Sequence, residues 1–447
     1  MKAFKAYDIR GEWGVDLNEE TVYRIGFFLH RILDAPTFLV GRDMRLSSDI
    51  LFQALTRGIT DSGRDVDDLG LATTPLVYWA TAQYGYQASL QITASHNPKH
   101  HNGLKISAAG ALPVGYDTGL NKLEALVTSG EVCTPVKTKG SVRKIEVKPA
   151  YIDFHKSYVG ELDKLNIAVD CSHGMASLFA HELIGKAHYI NDTLDGNFPN
   201  HEPNPLDAEN QRQIKDLVLK EKCDIGLLFD GDADRVTFID EKGQFISPDL
   251  IIAFMGDYFM GEKNEEGIVL QDIRSSRAIE EYLADYPAQV ETWRVGRAYA
   301  ALKLRERNGV YGGELAGHYY FRDFFYSDSA LLAASIVLRL TSRHKQNGKT
   351  LSEVIAGIST YANSGEINFK VERKKEAMDA VRDHFIKMEQ PTRFHDFDGY
   401  RLDYHDWWLN IRPSNTEPYL RFLAEAKHPD KLESVCKTVK EIVESFI

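Results

Sequence analysis

Asp230, Asp232 and Asp234 recur at every second position in the segment CDIGLLFDGDADRVTFID, directly after an apolar run. Carboxylates this close raise one another's pKa unless a cation neutralises them. Their hard oxygens suit Mg²⁺ or Ca²⁺, and Arg235 adds a donor for a phosphate beside such an ion. An EF-hand loop fits in part, with Glu241 at its twelfth position. It fails because Arg235 replaces the central glycine and the flanks read as strands. An aspartyl-nucleophile phosphatase also places D-x-D after a strand, but wants Thr or Val where Asp234 stands. A solvated acidic turn would need no chemistry at all. Three acids pressed against a buried strand argue against it.

A second segment, ITASHNPKHHNGLK, ends a strand at Thr93 and places Ser95 in the loop beyond. Pro98 holds Asn97 extended, and Gly103 permits close approach of another backbone. A hydroxyl at a strand end, with His96 and Lys105 near in sequence, is a candidate nucleophile or phosphate carrier. The competing reading is a polar turn held by Ser, His and Asn.

Two further loops carry polar groups. In YGGELAGHYYFRDF, Gly312, Gly313 and Gly317 make a flexible loop, Glu314 and His318 supply an acceptor and a donor, and Tyr319 and Tyr320 stand near by as aromatics suited to a sugar. Such groups bind neutral sugars, although a solvated glutamate is the simpler reading. WLNIRPSNTEPYLRF places Ser414, Asn415 and Thr416 between Arg412 and Arg421. Hydroxyls, an amide and two arginines form an anion nest, and a hairpin with a polar turn is the alternative.

The elements that must position these loops alternate. Apolar runs suited to strands precede Gly41, Ala94, Cys171 and Asp230 and surround Leu270; amphipathic stretches cover Ser48 to Ser62, Gln211 to Lys222 and Arg277 to Tyr286. Alternation of this kind predicts α/β units with mostly parallel sheets, whose active residues gather beyond the carboxyl ends of strands. The strand opening at Gly365 and the helix from Pro429 predict a smaller C-terminal α+β unit. Over 447 residues, about 150 per domain gives about three domains.

Composition excludes several functions. The formal charge of -12 opposes general nucleic-acid or anionic-membrane binding. Cys133, Cys171, Cys223 and Cys436 form no C-x-x-C pair, so no zinc ribbon or thioredoxin-type site is expected. The N-terminus lacks an apolar h-region, and Ala330 to Leu338 is too short to span a bilayer. A soluble cytoplasmic protein is expected.

Taken in order, the serine, aspartate, sugar and phosphate loops resemble the α-D-phosphohexomutase superfamily, in its phosphomannomutase/phosphoglucomutase branch. The resemblance runs from FKAYDIRG at Phe4 to RPSNTEPYLRF, with TASHNP and DGDADR its most specific motifs. It implies four domains around a central cleft, three related mixed α/β units and a smaller α+β domain. They are expected at 1–145, 146–247, 248–362 and 363–447.

It also implies roles. Ser95 matches the phosphoryl-carrying serine, and Asp230, Asp232 and Asp234 match the Mg²⁺ ligands, completed by an oxygen on Ser95. Tyr7 and Arg10 match a pair near the phosphoserine and substrate. Lys105, or a neighbour such as His96, is the candidate for proton transfer. Arg235 stands beside the metal, and Arg274 falls where the family places a basic substrate contact. Glu314 and His318 match sugar contacts. Arg412, Ser414, Asn415, Thr416 and Arg421 match the loop that grips the substrate's phosphate.

The implied activity interconverts hexose 6-phosphate and hexose 1-phosphate through a phosphoserine, with hexose 1,6-bisphosphate as intermediate and activator. The partner is a small phosphosugar, with no nucleic acid, membrane or obligate protein partner. Alternatives are a glucose or glucosamine phosphate preference, a metal-dependent serine phosphatase, or a metal-dependent binding module. The chain departs from the family at Ala316, where serine is usual. That change bears on sugar discrimination.

Overall fold

The computed structural model describes residues 1–414 and 419–446. Every apolar run noted above forms a strand: Thr37–Arg42, Ala88–Ile92, Ile167–Asp170, Ile225–Phe229 and Gly267–Asp272. Among the described residues the strands make four sheets. In the first, Thr37–Arg42 lies parallel to both Asp65–Leu71 and Ala88–Ile92, while His101–Ala108 runs antiparallel to Ala88–Ile92. The second and third repeat this mixture. Ile225–Phe229 runs parallel to Ile167–Asp170 and antiparallel to Val236–Asp240. Gly267–Asp272 runs parallel to both Ala288–Trp293 and Tyr311–Gly313.

The fourth sheet is antiparallel and is built on the hairpin Trp407–Pro413 and Tyr419–Ala426. The helices Lys374–Met388 and Pro429–Glu444 accompany it, and their Val381, Phe385, Val435 and Val439 share a core with the sheet's Leu409 and Phe422.

Two helices join the first three sheets into one block. Thr74–Gln83 is buried at eight successive positions from Thr74 to Thr81, and a helix apolar on all sides must be enclosed on all sides. Its Leu76 and Trp79 share a core with Tyr151 and Phe179 of the second unit and Ile252 and Leu332 of the third. Ala330–Gln346 is buried through most of its length in the same core. The loops at the carboxyl ends of three sheets are thereby held facing one cleft. No helix among the described residues is long and apolar enough to cross a membrane.

Candidate active site

The serine loop leaves the buried strand Ala88–Ile92, and Ser95 adopts a left-handed backbone at φ 51°. A serine rarely sits there without support from its surroundings. The support includes a hydrogen bond from Ser95 N to Thr93 Oγ1 at 2.9 Å. Gly103 lies so close to the strand Ile9–Glu12 that a β-carbon on it would meet Ile9 O at 2.2 Å. Only glycine lets the two backbones close on the loop.

The aspartates follow the strand Ile225–Phe229, and Ser95 Oγ donates to Asp230 Oδ2 at 2.9 Å. Asp230 Oδ1 accepts from the backbone N–H of Asp234 and Arg235, folding the loop on itself. Asp232 is anchored from the first domain. Thr74, at the start of its helix, donates its hydroxyl to Asp232 Oδ2 and its N–H to Asp232 O at 3.0 Å.

Lys105, on His101–Ala108, bonds to Asp232 Oδ2 at 2.7 Å and to Asp234 Oδ2. Burial opposes its charge, but Asp232 and Asp234 carry its pKa above the ordinary lysine value. Burial works to raise Asp234, yet the cations beside it, Lys105 first and Arg235 among them, hold it well below the usual carboxylate range. Asp230 is pushed well up, by burial first and then by Asp234 and Asp232.

The triad fits a metal. One oxygen from each aspartate lies within 4.8 Å of the others. Asp232 Oδ1 and Asp234 Oδ1 are buried without a hydrogen-bond partner. Buried carboxylate oxygens left in this way ask for a hard divalent cation.

His96 Nδ1 lies 3.3 Å from Ser95 Oγ. Burial, with Arg235 and Arg10 near by, lowers its pKa well below the ordinary value, so the ring is neutral. Arg10 donates to Asn97 Oδ1 at 2.9 Å and pairs with Asp8 at 2.6 Å. Tyr7 OH donates to Val295 O at 3.3 Å, tying the N-terminal segment to the third domain.

The third domain supplies the opposite wall. Arg274 and Asp272 form a two-point pair at 3.1 and 2.7 Å. Glu314 Oε1 accepts from Gly296 N at 3.1 Å and from Tyr320 OH at 2.7 Å, and burial raises its pKa. Arg235 Nε donates to His318 Nε2 at 2.9 Å, while His318 Nδ1 faces Asp328 at 2.7 Å. His318 is therefore the Nδ1–H tautomer, clamped between Asp328 and Arg235. Ser95, Lys105, Arg235, Arg274, Glu314 and His318 all line one cleft, as do Tyr7, Arg10 and Ala316.

Two expectations are corrected here. Tyr319 and Tyr320 are fully buried rather than presented to a sugar; their hydroxyls go to Pro248 O and Glu314. The glycines Gly312 and Gly313 belong to a buried strand, and a β-carbon on Gly312 would meet Leu270 O at 2.6 Å. They serve close packing, not loop freedom.

In the fourth domain Arg412 Nε lies 3.3 Å from Asp398 Oδ1, and Asp398 Oδ2 accepts from Val295 N at 2.9 Å across the domain boundary. Ser414 N donates to Tyr419 O at 2.8 Å, and Arg421 pairs with Glu366 at 3.1 Å. Asn415 and Thr416 lie outside the described residues.

Sequence reasoning missed Thr74, Asp328, Asp398 and Arg297. Arg297 lines the cleft with its guanidinium 3.5 Å over the Tyr78 ring and 3.1 Å from Asp328. Only Thr74 carried a readable signal: Thr-Thr-Pro marks a helix start, which here meets an acid.

Comparison with known proteins gives a consistent result. The phosphoglucomutase/phosphomannomutase alpha/beta/alpha domain I model matches residues 1–132, domain II 149–243 and domain III 247–361. The C-terminal domain model of the same family matches residues 366–442. The chain is 35% identical to a phosphomannomutase of Vibrio cholerae over 99% of each chain. It is 34% identical to a phosphomannomutase of Escherichia coli, covering 96% of this chain and 95% of that one. The crystal structure of a phosphoglucomutase/phosphomannomutase family protein from Burkholderia thailandensis superposes with a TM-score of 0.88 at 26% identity, over 99% and 97% of the two chains.

Proposed function

The chain belongs to the phosphoglucomutase/phosphomannomutase family, and on that premise we propose how its cleft works and on which sugar. It is a phosphohexomutase, an isomerase that interconverts hexose 6-phosphate and hexose 1-phosphate. We assign it mannose phosphate first and glucose phosphate second. The observation that carries the mechanism is the Ser95 hydroxyl on Asp230, beside two buried aspartate oxygens without a hydrogen-bond partner.

Phosphorylated Ser95 donates to O1 of a bound hexose 6-phosphate. The bond from phosphorus to Ser95 Oγ breaks as the bond to O1 forms. The O1 hydroxyl loses its proton, and Ser95 Oγ regains one. The hexose 1,6-bisphosphate then reverses in the cleft, and its other phosphoryl group returns to Ser95. Little covalent work falls to the protein, so positioning and charge carry the rate.

Asp230, Asp232 and Asp234 would hold Mg²⁺, which when bound neutralises charge on the phosphoryl oxygens beside Ser95. Lys105, kept charged by two aspartates and lining the same cleft as Ser95, is the candidate to return the proton to Ser95 Oγ. His96, neutral and 3.3 Å from that oxygen, is the candidate acceptor. Arg235 and Arg10 face the transferring group. Arg274, Glu314 and His318 face the sugar. Arg412 and Ser414, with Asn415, Thr416 and Arg421, take the resident phosphate.

Asp398 draws the fourth domain onto the third beside Tyr7, which excludes water that would hydrolyse phosphoserine. The first three sheets support domain limits at 145 and 247, whereas Ala362–Asn363 already pairs with Tyr419–Ala426 in the fourth sheet, which supports a last limit just before 362 rather than after it. Four cysteines without a disulfide fit a reducing cytoplasm.

Phosphorus NMR with Mg²⁺ and a trace of hexose 1,6-bisphosphate tests this reading, using mannose 1-phosphate and glucose 1-phosphate in separate samples. Conversion to the 6-phosphate, faster for mannose, is expected. Inorganic phosphate released as fast as sugar phosphate is isomerised would mean a phosphatase instead. No turnover of either sugar would move the assignment to amino sugars.

A further inference from the structure

Arg45 has no place in the mechanism above, yet it is one of the most enclosed charges in the molecule. Its side chain is fully buried, with Asp43 beside it at 3.2 Å. Enclosing a guanidinium in this way is costly unless its donors are used. The N–H groups of Nη1 and Nη2 are used on one object, the serine loop, while Nε, without a hydrogen bond, faces Asp43. Nη2 donates to Ser95 O at 2.8 Å and to Asn97 O at 2.6 Å. Nη1 donates to Pro98 O at 2.8 Å and to His101 O at 3.1 Å. Four carbonyls spread over seven residues converge on one planar fork.

That geometry acts on the nucleophile. In a trans peptide the C=O and the following N–H point in opposite directions, and no cis peptide occurs among the described residues. Drawing Ser95 O towards Arg45 therefore turns the His96 N–H to the other side of the loop. It also fixes ψ of Ser95, whose φ of 51° is unfavourable for a serine. A backbone of this kind persists only where its surroundings over-determine it.

Arg45 is itself held from two sides. Asp43 Oδ1 accepts from Arg45 N at 3.0 Å and from Ser48 Oγ at 2.5 Å. Asn102, on the strand that carries Lys105, donates to Ser47 and Ser48. From the second domain the Phe198 ring covers the guanidinium at 5.1 Å. A β-carbon on Gly196 would meet Arg45 Cα at 2.9 Å, so the two domains pack closely around Arg45.

We infer that Arg45 is a positioning residue for phosphoryl transfer: by gathering the carbonyls of Ser95, Asn97, Pro98 and His101 it holds Ser95 Oγ at the aspartate triad and out of reach of water. The inference rests on the phosphoserine reading of Ser95. Lysine cannot replace arginine here, because a single ammonium has no planar five-donor fork.

The test is Arg45→Lys in the full chain, phosphorylated with hexose 1,6-bisphosphate. Transfer to hexose phosphate and release of inorganic phosphate are measured on one sample, and Mn²⁺ affinity is measured by EPR. A misplacement of about 1 Å costs about 10²-fold in kcat. That loss is expected with KM changed less than about threefold, because substrate contacts stay in place. Phosphate release per transfer should rise at least about tenfold as water reaches the displaced phosphoserine. The phosphorus resonance of phosphoserine should shift, with Mn²⁺ affinity kept.

A kcat within about threefold of the parent overturns the role. So does a proportional fall in transfer and release together with lost Mn²⁺ binding, which is general disruption. If Arg45→Lys does not fold, Asp43→Asn leaves the fork in place and loosens its anchor. It should raise the release-to-transfer ratio in the same direction, and an unchanged ratio overturns the inference. Failure of the parent protein to take phosphate on Ser95 overturns the phosphoserine reading and this one together. Normal phosphoserine in the parent with an unaltered Arg45→Lys overturns this one alone.

Discussion

Ser95 Oγ and Asp230 Oδ2 meet at 2.9 Å although the residues stand 135 positions apart. Each sits on a loop beyond the carboxyl end of a strand in a different sheet. The contact exists because the helix Thr74–Gln83 fuses the first and second domains through a shared core. The proposed phosphoryl-carrying serine and the aspartates beside it are thus supplied by separate folding units, and their alignment is a property of the interface between them.

Ser95→Ala removes the group proposed to accept phosphorus but leaves the aspartates in place. Turnover of hexose 1-phosphate should fall by at least about 10³-fold, the scale of losing a nucleophile. The protein should bind Mn²⁺ as before and show no phosphoserine resonance. Undiminished flux in a coupled assay would remove Ser95 from the mechanism.

Thr74 supports the triad from outside it, donating to both the carboxylate and the carbonyl of Asp232. Partners of metal ligands typically account for about 10–100-fold in metal affinity or activity. Thr74→Val should weaken Mg²⁺ activation by about tenfold at least, with activity restored at high Mg²⁺. A Mg²⁺ titration of initial rates reads this directly, and an unchanged midpoint would mean that Asp232 needs no such anchor.

The sequence made the strands and the four loops legible because each is local: an apolar run, then polar residues of a turn. It also showed that Asp230, Asp232 and Asp234 need a counter-charge. It did not show that Lys105 provides part of one, since that pairing depends on the antiparallel register placing Lys105 opposite Gln91. Asp328 and Asp398 were invisible for the same reason. A lone aspartate acquires meaning only when folding delivers His318 to one and Val295 N to the other. Tyr319 and Tyr320 misled because an aromatic near a polar loop suits a core as well as a sugar.

Ala316 lines the cleft beside Glu314 and His318. A hydroxyl there could add one hydrogen bond to the sugar, worth about 0.5–1.5 kcal/mol. Ala316→Ser should therefore change kcat/KM by about two- to tenfold for the sugar whose hydroxyl it meets. Measured for mannose 1-phosphate and glucose 1-phosphate in parallel, the two values should move by different factors. Equal factors would place residue 316 outside sugar discrimination.

The docking of the fourth domain should depend on pH. Glu425, on Tyr419–Ala426, is buried at the boundary with the third domain, where Ser276 Oγ donates to it at 2.8 Å. Trp408 Nε1 and Asn363 Nδ2 also donate to it. Burial first, and then Asp249 near by, push its pKa from 4.5 up to about 7, against the pull of those donors. The folded protein thus binds this proton more tightly than the unfolded chain. Its stabilisation is full below 4.5 and is lost as pH rises through about 7. Glu425→Gln keeps an acceptor and cannot ionise. Thermal unfolding between about pH 4.5 and about pH 7 should show Tm falling in the parent and falling less in Glu425→Gln. Parallel pH profiles would mean that Glu425 does not titrate in this range and that the boundary is held without its proton.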